Sequence, residues 1–189
     1  MGYLDDAKFA YTRYFPEDAA KVAPCSEADV VLLEQQFSAR LPLAYREFLT
    51  WMGRGGEDIF WTGFTWTFGS LRDINVWAHE LVQISDTKLR LPKDAFVFFW
   101  DGGAIFYFFK LKDGDDPPVY FFMESNLEAN LRQGFTAEPK DDPVVRYLLD
   151  DRERTDFFRL SSNFSQFILS EVQRCIRLQQ DKGTHRKQR

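Results

Sequence analysis

Residues 95–123 read AFVFFWDGGAIFYFFKLKDGDDPPVYFFM, and this stretch decides the fold class. It holds three apolar runs, 95–100, 105–109 and 119–123, rich in the aromatic and β-branched residues that suit a pleated strand. Asp101-Gly102-Gly103 separates the first two with turn chemistry, and an acidic, proline-containing turn separates the second from the third. Connections this short predict a three-stranded antiparallel meander. The first two runs are continuously apolar instead of alternating with polar residues, so both faces of the sheet should be covered.

What covers them is sought on either side. Ser26 is a good N-cap, with Asp29 in the place of the usual capping-box glutamate. Val30, Leu33 and Phe37 then keep helical spacing, although Glu34 interrupts their stripe. Leu41-Pro42 opens a second helix, with Pro42 expected at its first position, where no amide hydrogen is wanted. Tyr45, Phe48, Leu49 and Met52 fall on one face of it, and Gly53, Gly55 and Gly56 should end it through a left-handed cap. Phe64, Trp66 and Phe68 alternate with Thr65 and Thr67, which predicts a half-buried strand. Leu71, Ile74, Ala78 and Leu81 return to helical spacing. Beyond the meander, residues 125–159 carry no clear period, and 144–149 read as strand or helix. Ser161-Ser162 should cap a long helix whose apolar side holds Phe164, Phe167, Ile168, Val172, Cys175, Ile176 and Leu178. The expected architecture is α+β: a central antiparallel sheet with a β-meander, an N-terminal helix-elbow-helix and a long C-terminal helix packed on it. Residues 24–178 should form this single domain. Residues 1–23 precede it as an extension packed on it, with Phe9, Tyr11, Tyr14 and Phe15 offered to the core, and 179–189 follow as a frayed basic tail.

A chain of 189 residues with 20 Phe, 7 Tyr and 5 Trp can bury a core without covalent staples. Its two cysteines, Cys25 and Cys175, read as reduced packing residues. The start of the chain has neither a basic segment nor an apolar run of the secretory type, so the expected location is the cytoplasm. No apolar stretch is long enough to span a bilayer. The net charge of −5 is unevenly placed: residues 113–156 carry twelve acids against five bases, whereas 171–189 carry six bases against two acids. Clustered acids repel nucleic acid, so direct nucleic-acid binding is not expected, and they steer a basic partner inward.

Catalytic and cofactor motifs are scarce. The histidines are His79 and His185 only, with no zinc-type spacing and no nucleophile elbow around a serine. Gly53-Arg54-Gly55-Gly56 follows a helix and lacks the Gly-Lys-Ser/Thr of a phosphate loop, so it reads as a helix stop. Asp113, Asp115 and Asp116 lack the distal glutamate of a calcium loop. No catalytic residue, metal or cofactor is expected, and no oligomeric state follows.

Ser26-Glu27-Ala28-Asp29-Val30 through Leu33-Glu34, then Leu41-Pro42, Tyr45-Arg46-Glu47-Phe48-Leu49 and the glycines resemble the opening signature of the SUKH superfamily, the domains similar to the yeast Smi/Knr cell-wall regulator. Residues 162–169, with Phe164 and Phe167, look like that family's closing helix, and the aromatic strands fit its middle. Ser38 stands where a glycine often precedes the Leu-Pro elbow. The resemblance implies an α+β fold and a binding role. Bacterial members are typically immunity proteins that neutralise toxins, often nucleases, and the family shares no catalytic set. Leu41, Pro42, Tyr45, Phe48, Leu49, Gly55, Gly56, Phe164 and Phe167 are thereby assigned to architecture. The leading expectation is a cytosolic immunity protein for a basic toxin domain. The others are a regulatory or scaffolding module with an endogenous partner and, third, a small enzyme using scattered carboxylates. Recognition is expected through acidic loops: Glu57 and Asp58 after the glycines, Asp113, Asp115 and Asp116 between strands, and Asp141 and Asp142 between prolines.

Overall fold

The structure, a computed structural model, describes residues 2–55, 65–85, 88–102, 104–124, 128, 143–148 and 156–186. In chain order the helices are α1 (Asp5–Tyr14), α2 (Pro16–Ala19), α3 (Glu27–Phe37), α4 (Leu43–Met52), α5 (Leu71–Ile84), α6 (Pro143–Leu148) and α7 (Phe164–Arg186). The strands are β1 (Ala95–Asp101), β2 (Ile105–Lys110), β3 (Val119–Met123) and β4 (Phe158–Ser161). They form one sheet in the order β1-β2-β3-β4, each antiparallel to its neighbour. The fold is α+β, and the expected meander is its centre. The fourth strand extends it from the stretch that periodicity left unread, and α6 settles 143–148 as helix.

The sheet is buried on both faces, as the unbroken apolar runs require. On one face, Phe96, Phe98, Tyr107 and Phe109 meet the aromatic residues of α4 and α7. Tyr45 lies at the middle, with ring centroids 5.3 Å from Phe96, 5.1 Å from Phe109 and 5.4 Å from Phe164. Phe167 reaches Phe98 and Tyr107. A register shift between Val97 and Phe99 marks a β-bulge, which lets Phe98 and Phe99 occupy this same face in succession. On the opposite face Phe108 and Phe122 take Phe157 between them, and Trp77 of α5 lies 6.0 Å from Trp100. Each fully buried aromatic ring contributes about 2–3 kcal/mol of transfer free energy, so this double-sided cluster is the main source of stability.

The helix-elbow-helix is tied by charge. Ser26 and Asp29 form a reciprocal capping box at the start of α3. Glu34, the interruption in the apolar stripe, accepts from the backbone N–H of Leu41 at 2.9 Å and from Arg46 at 2.8 Å. The polar residue in the apolar stripe thus fixes the chain where it turns into α4. Ser38 ends α3 in the left-handed region, φ 51°, with its own N–H on the carbonyl of Gln35 and that of Ala39 on Glu34.

Several expectations are corrected. Pro42 precedes α4 as its N-cap, ψ 143°, and its carbonyl accepts the first helical bond from Arg46, so the helix starts one residue later. Gly53 is right-handed, φ −61°; glycine is needed there because a Cβ would lie 2.6 Å from the Leu49 carbonyl and 2.7 Å from Cys25 Sγ. The left-handed glycine of the cluster is Gly55, φ 105°, which pairs with Ala23 in an isolated bridge. The strand expected around Trp66 is reduced to one bridge, Thr65 with Trp100, because a 3-10 turn at Phe68–Ser70 takes over, with the Ser70 hydroxyl on the Thr67 carbonyl; Phe64 and Gly56 lie outside the described residues. Of the early aromatic residues, Tyr11 and Phe15 are buried, while Phe9 and Tyr14 point to solvent on the far side of α1. Asn163, not Ser161 or Ser162, caps α7, since Ser161 ends β4 and the N–H of Gln166 donates to Asn163 Oδ1. Helix α7 continues through Arg186, and Leu178, expected on its apolar side, is exposed because the helix has by then run past the core.

Candidate partner-binding site

The turn between β2 and β3 carries three of the acids expected to meet a partner. It leaves β2 with the N–H of Asp113 on the Lys110 carbonyl, reverses at Gly114, φ 93°, and enters β3 through Pro117 and Pro118. Asp113 and Asp115 are exposed, and neither side chain makes an ion pair or hydrogen bond among the described residues. Asp116 differs. Its carboxylate accepts from the Ser165 backbone N–H at 2.8 Å and from the Ser165 hydroxyl at 2.6 Å, in the first turn of α7. One residue earlier, the Asp115 carbonyl accepts from the N–H of Ala44 at 2.9 Å, in the first turn of α4.

Those two bonds satisfy amide donors that a helix start leaves without intrahelical partners. They also bring a negative carboxylate to the positive end of α7. The tip of the turn is thereby fixed to two helices, and Asp113 and Asp115 project from a braced backbone. Glu57, Asp58, Asp141 and Asp142 lie outside the described residues.

Neighbouring acids are already engaged. Glu27 and Glu34 hold Arg46, Asp29 holds Arg54 at 2.8 Å, and Glu47 holds Lys8 at 2.6 Å and the N–H of Tyr3. The Ser26 amide, the Arg54 guanidinium and the Ser26 hydroxyl keep the Asp29 carboxyl below its ordinary range. The carboxylates of Asp113 and Asp115, free of such pairs among the described residues, add negative charge at the turn.

The signature residues Leu41, Pro42, Tyr45, Phe48, Leu49, Phe164 and Phe167 are all buried. The Tyr45 hydroxyl has no hydrogen-bond partner among the described residues, and burial holds its proton on well above the ordinary phenol range. Both thiols are free and buried. Burial first, then Asp29, pushes Cys25 up to about 11, and burial raises Cys175 as well, so neither is a thiolate at neutral pH. Among the described residues no three His, Cys, Asp or Glu side chains are placed to hold a metal ion, and no helix is long and apolar enough to cross a membrane.

The structural role of Asp116 was not legible in the sequence, where it reads as one more acid of a solvated turn. Its partner lies 49 residues away. A family model described as SMI1 / KNR4 family (SUKH-1) matches residues 24–170, most of the chain. No curated protein matches the chain in sequence.

Proposed function

The chain belongs to the SMI1 / KNR4 (SUKH-1) family, and from that premise we propose that it is a non-catalytic binding protein, a cytoplasmic immunity protein that neutralises a cognate toxin. The toxin is a basic domain, such as a nuclease, met through acidic loops of one domain spanning 24–178; the protein itself does not bind nucleic acid. The observation that carries this reading is the β2–β3 turn, where Asp113 and Asp115 stand unengaged on a backbone braced against α4 and α7. A braced loop loses little conformational freedom on binding, so more of the interaction energy appears as affinity. Asp116 belongs to the bracing and is assigned to the scaffold of the site. The unplaced acids Glu57, Asp58, Asp141 and Asp142 complete the proposed surface.

The test is the association rate with the cognate toxin domain, at low and high salt, for the parent and for Asp113→Asn with Asp115→Asn. Removing two unengaged charges should slow association about three- to tenfold at low salt, with little change once salt screens the field. Equal rates and equal salt slopes would remove this turn from the interface.

A further inference from the structure

A groove of about 490 Å³ runs between the end of α3, one side of α5 and the approach to β1, lined among others by Phe37, Arg72, Val76, His79 and Lys93. Positions 72, 75, 76 and 79 are spaced i, i+3, i+4, i+7, so one stripe of α5 forms a wall. Asn75 in that stripe is fully occupied: its amide donates to the carbonyls of Leu71 and Val97 and accepts from the N–H of Val97, each at 2.8 Å. Arg72, His79 and Lys93 remain as the basic groups of the groove, and none makes an ion pair or hydrogen bond among the described residues. Elsewhere Arg46, Arg54 and Arg174 sit in ion pairs, and Arg159 donates to backbone carbonyls. The acids of these elements, Glu27, Asp29 and Glu34 of α3, Asp73 and Glu80 of α5, Asp94 and Asp101, do not line the groove. Its apolar surface comes from Phe37, packed 4.8 Å from Phe96, and from Val76, which is 52% exposed.

We propose that this groove binds an acidic peptide segment of a partner protein. The reading goes beyond the toxin interface above and does not depend on it, because the groove has the opposite sign. Arg72 presents a planar fork that can hold a carboxylate with two parallel hydrogen bonds, Lys93 adds a compact point charge, and Phe37 with Val76 takes an apolar side chain between acids. The volume lies within the range of clefts that hold a few side chains. The peptide docks through side chains and not as an added strand, because Asn75 already occupies the β1 backbone at Val97 and Thr65 occupies it at Trp100.

The experiment is a titration of the ¹⁵N-labelled full chain with an acetylated, amidated Glu-Leu-Glu-Glu-Leu-Glu peptide, followed by amide chemical shifts. Parallel titrations use the same peptide with Lys for Glu, and inorganic phosphate. Saturable shifts confined to residues 36–37, 72–79 and 93–95 support the groove. Affinity should fall about tenfold or more in Arg72→Gln with Lys93→Gln and stay unchanged in Arg40→Gln, an exposed base outside it. An unaltered melting temperature of the double variant keeps that loss readable as binding. Scattered shifts, an affinity unchanged in the double variant, or equal binding of the lysine peptide would overturn the proposal. So would phosphate alone producing the same shifts and displacing the peptide, which would identify a free-anion site.

Discussion

Replacing Asp116 with alanine removes both acceptors from the first turn of α7 while leaving the acidic character of the β2–β3 turn largely in place. The lost interactions are the bonds from the Ser165 N–H, 2.8 Å, and the Ser165 hydroxyl, 2.6 Å, in a part-buried position. Losing a side-chain cap costs about 0.5–2 kcal/mol, and losing a negative charge at the positive end of a helix costs about 0.3–1 kcal/mol more. Asn163 still caps Gln166, so the helix start is weakened and not abolished, and the expected loss is about 2 kcal/mol. For a chain of this size that lowers the melting temperature by about 4–8 °C. Urea unfolding followed by circular dichroism should show a lower midpoint with an unchanged slope. Asp116→Asn keeps a carbonyl for the N–H and should lose about half as much, whereas Asp113→Ala should fall within about 0.5 kcal/mol of the parent. A loss below about 0.5 kcal/mol in Asp116→Ala, or an equal loss in Asp113→Ala, would refute the bracing role.

Ser38→Gly relieves a left-handed residue whose strain is about 1–2 kcal/mol, offset in part by the greater freedom of glycine in the unfolded chain, so the unfolding free energy from urea titration should rise by about 0.5–1 kcal/mol; a lower value would contradict the conformation at φ 51°. Tyr45→Phe removes a buried hydroxyl without a partner among the described residues and should stabilise by about 1 kcal/mol in the same assay, while a loss would reveal a hydrogen bond to that oxygen. Asp29 has its carboxyl held below its ordinary value in the folded state, so its contribution is present above the unfolded value of about 4 and disappears as pH falls through the depressed folded value. Asp29→Asn should therefore be less stable at neutral pH and lose less on acidification, and stability-against-pH curves that stay parallel would exclude this.

Local chemistry was legible where it was self-contained. The capping box at Ser26 and Asp29, the aromatic face of α4 and the three strands of the meander each follow from residues within a few positions of one another. What was hidden depends on partners distant in sequence. Glu34 looks like a flaw in a stripe until Leu41 and Arg46 are folded beside it, and Asp116 looks like surface until Ser165 arrives. Strand β4 has four residues with an exposed Arg159 in the middle, too short for alternation to register. At Thr65 and Trp66 the alternation was real, but the local 3-10 turn stopped it from becoming a strand. Of the expected interface, Asp113 and Asp115 are placed on an exposed turn, and nothing in that turn's own sequence separates them from Asp116.

The contact between Asn75 and Val97 has a consequence for how the chain survives its own synthesis. Strand β1 is an edge strand, and its apolar run, without charge or proline, is the kind that templates cross-β stacking when its N–H and C=O groups are open. The Asn75 side chain covers both groups of Val97, and Thr65 covers both of Trp100, so the seal is made by two residues that precede β1 in the chain. Helix α5 therefore leaves the ribosome before the strand it protects, and the exposed interval of the stickiest segment is limited to the time that strand takes to dock.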